Sequence, residues 1–152
     1  MSAAILVTGA TGFVMANVIR HLAERGHDVV GVDLKPPDHS WRRFVEHLPG
    51  RVSFRQVDVT DRTAAAVLLQ DIRPARAVHG AAITSIPIDV ERARFVETSD
   101  VNVTGTLNVL AVWSRWASVV WSRSPAAACM ALARVRRPSA KTMSKIRRRR
   151  TR

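Results

Sequence analysis

Short apolar runs alternate along the first part of the chain with segments in which apolar residues recur every three or four positions. The runs at residues 4–7, 28–33, 52–57 and 77–82 have the length and composition of buried strands. The other segments predict helices at residues 13–25, 41–48, 60–72 and 99–112. This alternation predicts an α/β fold with a doubly wound parallel sheet in the order 3-2-1-4. A fifth strand is expected at residues 118–121, and a ligand at the carboxyl ends of the strands.

The first predicted strand ends in a glycine turn, Thr8-Gly9-Ala10-Thr11-Gly12, which leads into a predicted helix. Gly9 and Gly12 let the backbone approach a ligand closely, and the start of the helix directs N–H groups towards it, as a pyrophosphate requires. Asp33 ends the second predicted strand, where a carboxylate can accept hydrogen bonds from both hydroxyls of an adenosine ribose. The pattern predicts a dinucleotide site. It favours NAD over NADP, because a 2′-phosphate would meet the negative charge of Asp33.

A series of motifs resembles those of the extended short-chain dehydrogenase/reductases, also called the NAD-dependent epimerase/dehydratase family. Residues 5–14 (ILVTGATGFV) are similar to the family's TGxxGFxG turn, and residues 79–84 (HGAAIT) to its HxAA segment. Residues 102–110 (NVTGTLNVL) are very close to its NVxGTxNVL helix. The resemblance extends to about residue 110. It implies a Rossmann-like NAD-binding domain, truncated at its C-terminal side, from an enzyme that acts on a nucleotide sugar or a similar hydroxylated substrate.

The resemblance also implies which residues would line the cofactor site. Asp33 would hold the adenine ribose, Asp58 and Val59 would contact the adenine ring, and Asn102 would face the cofactor. With the glycine turn and the HxAA segment, the expected cofactor-binding residues are Gly9, Thr11, Gly12, Phe13, Asp33, Asp58, Val59, Ala81, Ala82 and Asn102. Thr84 and Ser85 are candidate substrate contacts.

Two positions depart from the family pattern. Met15 stands where the third glycine is expected, and that glycine normally allows a helix to pack closely on a strand. We expect Met15 either to push the helix outward or to bend into a gap, which puts cofactor affinity in question. Gly80 replaces the usual bulky residue of the HxAA segment, a change that loosens packing but removes no ligand group.

The net positive charge of the chain lies entirely in its last part. Residues 1–110 carry 12 basic and 12 acidic side chains, so the other 12 of the 24 Lys and Arg residues follow residue 110 without any acid. We therefore divide the chain into an NAD-binding domain at residues 1–112 and a basic tail at residues 113–152. A basic tail could bind nucleic acid or another anionic partner non-specifically, and that is one alternative.

The catalytic pair of the family has no counterpart in this sequence. By resemblance, a Tyr-x-x-x-Lys pair would supply the base for hydride transfer, yet the chain contains no tyrosine. Lys141 and Lys145 stand in a similar spacing with lysine in the place of tyrosine, and Ser124 lies roughly where a catalytic serine is expected. No catalytic residue is assigned, and we expect no turnover by these 152 residues.

The genetic code offers a second explanation of the tail. Read one frame over, the codons of Trp116-Ala117 and Met130-Ala131 must each give glycine, and Cys129-Met130 must give tyrosine or histidine. These residues fit the GVxRVVxxSSxxVYG pattern that the family carries at this place. We therefore expect a frameshift near residues 110–115, which sequencing of the coding DNA would confirm or refute.

Other classes of site and location are disfavoured by composition. The single cysteine, Cys129, cannot form an intrachain disulfide framework or a thiolate-rich zinc site, and the five histidines show no metal-ligand spacing, so no metal is expected. No apolar run approaches the roughly 18–20 residues of a membrane span. The opening residues lack the basic start of a signal peptide, so a cytoplasmic protein is expected.

Overall fold

A computed structural model describes residues 4–84 and 92–113, together with the backbone of residues 131–134. Five strands form one sheet in the order β3-β2-β1-β4-β5. The strands are β1 (Ile5–Thr8), β2 (Val29–Asp33), β3 (Val52–Gln56), β4 (Arg76–His79) and β5 (Ala131–Arg134). The first four are parallel, which confirms the predicted order 3-2-1-4.

β5 is a strand that the sequence analysis did not predict. β5 pairs antiparallel with β4, with Ala133 opposite Ala77. It therefore adds hydrogen bonds to the outer edge of β4 without extending the parallel winding. The strand predicted at residues 118–121 lies outside the described residues.

The first three helices are α1 (Phe13–Glu24), α2 (His39–Phe44) and α3 (Arg62–Ile72). α1 ends one residue before its predicted end, and Gly26 follows in the left-handed region at φ 78°. The predicted bounds of α2, residues 41–48, were wrong, because the helix begins at His39 and ends at Phe44. Asp38 sets its start by accepting a hydrogen bond from the Trp41 N–H at 2.7 Å. In α3, the carboxylate of Asp61 caps the helix through the Thr63 and Ala64 N–H groups.

A continuous helical run follows β4 and contains an irregular turn. It consists of α4 (Phe95–Ser99), a π-helical turn (Asp100–Gly105) and α5 (Thr106–Trp113). The sequence predicted one regular helix from residue 99, so both the earlier start and the π turn were missed. Neither the earlier start nor the π turn gives an apolar spacing that differs from that of an ordinary α-helix.

Apolar side chains pack on both faces of the sheet. On one face, a cluster joins the sheet to α3 and α5 through Leu6, Val32, Leu68, Leu69, Ala77 and Val112. On the other, a cluster joins it to α1 through Ile5, Val7, Ala10, Met15, Ile19, Val29 and Val78. Successive residues of β1 alternate between the two clusters, as expected for a strand covered on both faces.

Candidate functional site

The glycine turn lies where the winding of the sheet reverses, between β1 and β4. Gly9 adopts φ 72°, and a Cβ on it would lie only 2.5 Å from the Gly80 carbonyl oxygen. The Ala10 N–H donates to the Val32 carbonyl at 3.1 Å, and the Gly12 N–H to the Gly9 carbonyl at 3.0 Å. The turn is therefore fixed against both neighbouring strands, at the place where such sheets bind ligands.

The N-terminus of α1 follows this turn directly. Gly12 is the N-cap residue and contributes no side-chain hydrogen bond to the helix. The N–H groups of the first turn are therefore available to an anion, and the helix dipole favours negative charge there. The Phe13 side chain is 86% exposed. The backbone N–H groups of this first turn are therefore the groups suited to bind a pyrophosphate.

Asp33, at the end of β2, is held beside the glycine turn by Thr11. Its Oδ2 accepts hydrogen bonds from the Thr11 N–H at 2.9 Å and from the Thr11 hydroxyl at 2.8 Å. Its Oδ1 accepts a longer contact from the Lys35 N–H at 3.4 Å. One carboxylate oxygen is therefore fixed by the protein, while the other is the better placed to accept from a ligand hydroxyl.

A cavity lies beyond Asp33, at the ends of β2 and β3. It is lined by Leu34, Asp58, Thr60, Ala93, Arg94, Val96, Glu97, Asp100 and Val101. Asp58 uses its Oδ1 to accept from the N–H and hydroxyl of Thr60, at 2.8 and 2.7 Å. Val59 is buried and its carbonyl accepts from the Asn108 amide at 3.1 Å. The cavity is therefore next to the expected ribose site.

A buried chain of hydrogen bonds connects β1, β4 and α5. The Thr8 hydroxyl accepts from the Gly80 and Ala81 N–H groups at 3.2 and 3.3 Å, so its own proton is directed to His79 Nδ1 at 2.7 Å. His79 then carries its proton on Nε2 and donates to the Thr106 hydroxyl at 3.0 Å. The chain requires a neutral His79.

We predict that His79 makes stability depend on pH. Burial lowers the pKa of His79 from 6.5 to about 4. Between these values the unfolded chain binds a proton that the folded chain does not, so stability falls as the pH is lowered. The expected loss is about 3 kcal/mol of unfolding free energy, at roughly 1.4 kcal/mol per pKa unit. Urea unfolding from pH 7 to pH 4 measures it.

The matched variant for this test is His79→Gln. Glutamine keeps hydrogen-bonding groups at the position but does not titrate, so the variant should show a shallower dependence of unfolding free energy on pH. All other titrating groups are common to the two proteins. Parallel curves for wild type and His79→Gln would contradict the assignment of the pH dependence to His79.

Two asparagines of the helical run hold the loops at this edge of the sheet. Asn102 Oδ1 accepts from the Ile83 N–H at 2.8 Å, and its Nδ2 donates to the Ile83 carbonyl at 3.0 Å. Asn108 donates to the carbonyls of Val59 and Thr60, at 3.1 and 2.8 Å. The Asn102 amide, expected to face the cofactor, thus acts here on the backbone of the segment after β4.

The remaining sequence candidates divide between described and undescribed parts of the chain. Ala81 and Ala82 are half-buried in the segment that follows β4, and Thr84 is exposed. Outside the described residues lie Ser85, Ser124, Lys141 and Lys145. Within residues 4–84 and 92–113, no three His, Cys, Asp or Glu side chains are grouped so as to hold a metal ion. Nor is any helix there long and apolar enough to cross a membrane.

Several residues that shape the site were missed from the sequence. Trp41 donates from its indole Nε1 to the Ala10 carbonyl at 2.8 Å and so supports the glycine turn. Thr8 and Thr106 bind the two nitrogens of His79. A hydroxyl at the end of an apolar strand is the one signal that could have indicated Thr8, because a buried polar group needs a partner.

The order 3-2-1-4, the glycine turn at its reversal point and the carboxylate ending β2 define a Rossmann-like dinucleotide-binding domain. A family model described as the NAD dependent epimerase/dehydratase family matches residues 5–133. The chain belongs to this family. The match extends past residue 112, where the composition changes.

The curated relatives of the chain include dehydratases and epimerases. The chain is 32% identical to a dTDP-glucose 4,6-dehydratase of Neisseria meningitidis serogroup B, over 80% of this chain and 33% of that protein. It is 28% identical to UDP-glucose 4-epimerase 2 of Arabidopsis thaliana, over 76% of this chain and 34% of that protein. The chain spans about a third of the length of these relatives.

A solved structure shows the same fold. The UDP-glucose-4-epimerase of Stenotrophomonas maltophila, with bound NAD and formylated UDP-arabinopyranose, superposes with a TM-score of 0.64 at 28% identity. The similarity covers 74% of this chain and 33% of the epimerase. The Rossmann-like α/β fold predicted from the motifs is therefore confirmed.

Proposed function

We propose that this chain is the NAD-binding part of an epimerase or dehydratase that acts on a nucleotide sugar. The observation that carries the proposal is the Asp33 carboxylate, fixed by Thr11 beside the glycine turn. A ribose at Asp33 and a pyrophosphate at the N-terminus of α1 are adjacent in this arrangement. The epimerase with bound NAD and a UDP-sugar supports both the cofactor and the substrate class.

The chain's own residues bind and orient the cofactor in this proposal. Asp33 accepts from the ribose hydroxyls, the α1 N-terminus neutralises the pyrophosphate, and the cavity beside Asp58 receives the adenine. NAD, when bound, supplies the hydride acceptor. The segment of Ala81 and Ala82, fixed by Thr8 and His79, leads from the strand end along the cofactor towards the nicotinamide. Without a tyrosine, these 152 residues hold the cofactor but provide no phenolate base.

The proposal is tested with the purified 152-residue chain. NADH is titrated into the protein while its fluorescence is recorded, with competition by NAD. NAD is then incubated with the protein and UDP-glucose, and the nucleotide sugars are separated by chromatography to detect any conversion. We expect saturable binding that NAD displaces, and unchanged UDP-glucose. A folded chain that binds neither nucleotide would refute the cofactor assignment. Conversion of UDP-glucose would refute the absence of turnover.

A further inference from the structure

The two positions that depart from the family motifs lie in contact with each other. A Cβ on Gly80 would lie 2.4 Å from the Met15 Sδ, 2.6 Å from its Cγ and 3.0 Å from its Cε. The thioether side chain of Met15 therefore occupies the space that a side chain at position 80 would need. Of the two outcomes expected for Met15, the structure shows the second, because its side chain bends into the gap left by Gly80.

Met15 fills the core and not the cofactor cleft. Its side chain is 4% exposed and belongs to the cluster that includes Val7, Ala10 and Val78. It thus lies beneath the loops that form the cleft, between α1 and the end of β4. A buried side chain in this position supports those loops and leaves the space above them to a ligand.

Gly80 is fixed from three directions. Its N–H donates to the carbonyl and the hydroxyl of Thr8, both at 3.2 Å. Its carbonyl oxygen faces Gly9 so closely that Gly9 has no room for a Cβ. Met15 lies against its α-carbon. Because Ala81 and Ala82 follow directly, the position of Gly80 sets the distance between this segment and the glycine turn.

We propose that Met15 and Gly80 are a compensating pair of positioning residues that sets the width of the NAD cleft. The inference rests on the proposed binding of NAD. A side chain at position 80 forces Met15 aside or lifts the segment of residues 80–82. A smaller residue at position 15 leaves a void beneath that segment, and the loop sinks into it. The two changes made together restore the packed volume.

A double-mutant cycle in the full 152-residue chain tests the pair. Met15→Ala removes the Cγ, Sδ and Cε atoms that a Cβ at position 80 would meet, and Gly80→Ala adds that Cβ. Gly80 has no left-handed φ, so its backbone accepts alanine. We expect each single variant to weaken NADH binding by roughly tenfold and to lower the urea midpoint, and the double variant to bind within about threefold of wild type.

Gly105 provides the matched control. It is a buried glycine whose Cβ would lie 2.7 Å from the Val59 Cγ2, and neither residue belongs to the cluster that contains Met15. Met15→Ala combined with Gly105→Ala should therefore show additive effects on the urea midpoint and on NADH affinity. If the Met15→Ala/Gly80→Ala variant is also additive, the pairing is refuted.

The affinity measurement separates the pair from a purely structural role. NADH binding is measured without urea, at a temperature at which all the variants are folded. A change in the dissociation constant of NADH then reports the shape of the cleft. Recovered stability without recovered NADH affinity would refute the positioning role. A wild-type chain that binds no NADH would refute the proposed function, while the urea midpoints would still decide whether the two residues are paired.

Discussion

Replacing Gly9 with alanine is expected to remove roughly 3 kcal/mol or more of unfolding free energy and to abolish NADH binding. The residue has φ 72°, where an alanine costs about 1–2 kcal/mol. Its Cβ would also lie 2.5 to 2.8 Å from the backbone of Gly80 and Ala81, which cannot rotate away as a side chain can. Overpacking of this kind adds about 1–3 kcal/mol. Since a domain has about 5–15 kcal/mol in total, the loss is large.

Gly26→Ala is the control for the Gly9 variant. Gly26 has φ 78°, but a Cβ on it would meet no atom within 4 Å. We therefore expect Gly26→Ala to lose only the cost of the left-handed backbone, about 1–2 kcal/mol of unfolding free energy, because no collision is added. Urea unfolding followed by circular dichroism compares the two variants. Equal losses would mean that the contact between Gly9 and Gly80 contributes nothing.

Replacing Asp33 with alanine is expected to weaken NAD binding by about 100-fold while the fold is retained. Hydrogen bonds to a charged group contribute about 1.5–3 kcal/mol each, and the ribose loses two of them. Asp33→Asn should retain an acceptor for the Thr11 N–H but lack the charge that repels a 2′-phosphate. We expect this variant to narrow the preference for NADH over NADPH, as measured by parallel fluorescence titrations.

An acidic residue far from the site provides the comparison for Asp33. Asp71 is exposed on α3, so Asp71→Ala changes the net charge equally without touching the cleft. It should bind NADH as wild type does. An equal loss of affinity in both variants would assign the effect to overall charge. An unchanged NADH to NADPH ratio in Asp33→Asn would contradict the role given to the carboxylate.

The elements that follow from local patterns were predicted well. β1 to β4, α1 and α3 each show an apolar periodicity bounded by glycine or aspartate, and their order follows from the right-handed crossovers of a parallel sheet. The errors lie at boundaries fixed by single contacts. Asp38 caps α2 and sets its start. Asn102 in the π turn bonds to Ile83 and Thr106 just after it bonds to His79, and no local periodicity indicates such contacts.

The candidate site was predicted through its motifs more than through its contacts. Gly9, Gly12 and Asp33 have conformational or charge requirements that a single sequence can indicate. The Thr8 to Thr106 chain and the contact of Met15 with Gly80 join residues more than 60 positions apart. No periodicity relates such positions, so only the folded structure brings them together. The roles of the cofactor-binding residues stay predictions, which the Gly9 and Asp33 variants test.

The π turn between α4 and α5 has a consequence for which insertions and deletions the chain tolerates. A residue in a regular helix is turned by about 100° from its neighbour, so one residue removed from the π turn would straighten the helix and rotate its two halves relative to each other. Asn102 and Asn108 could then no longer reach Ile83 and Val59 at once. A deletion that makes this helix regular would therefore release one of the two loops, at Ile83 or at Val59. The length of this segment is thus as tightly constrained as its side chains.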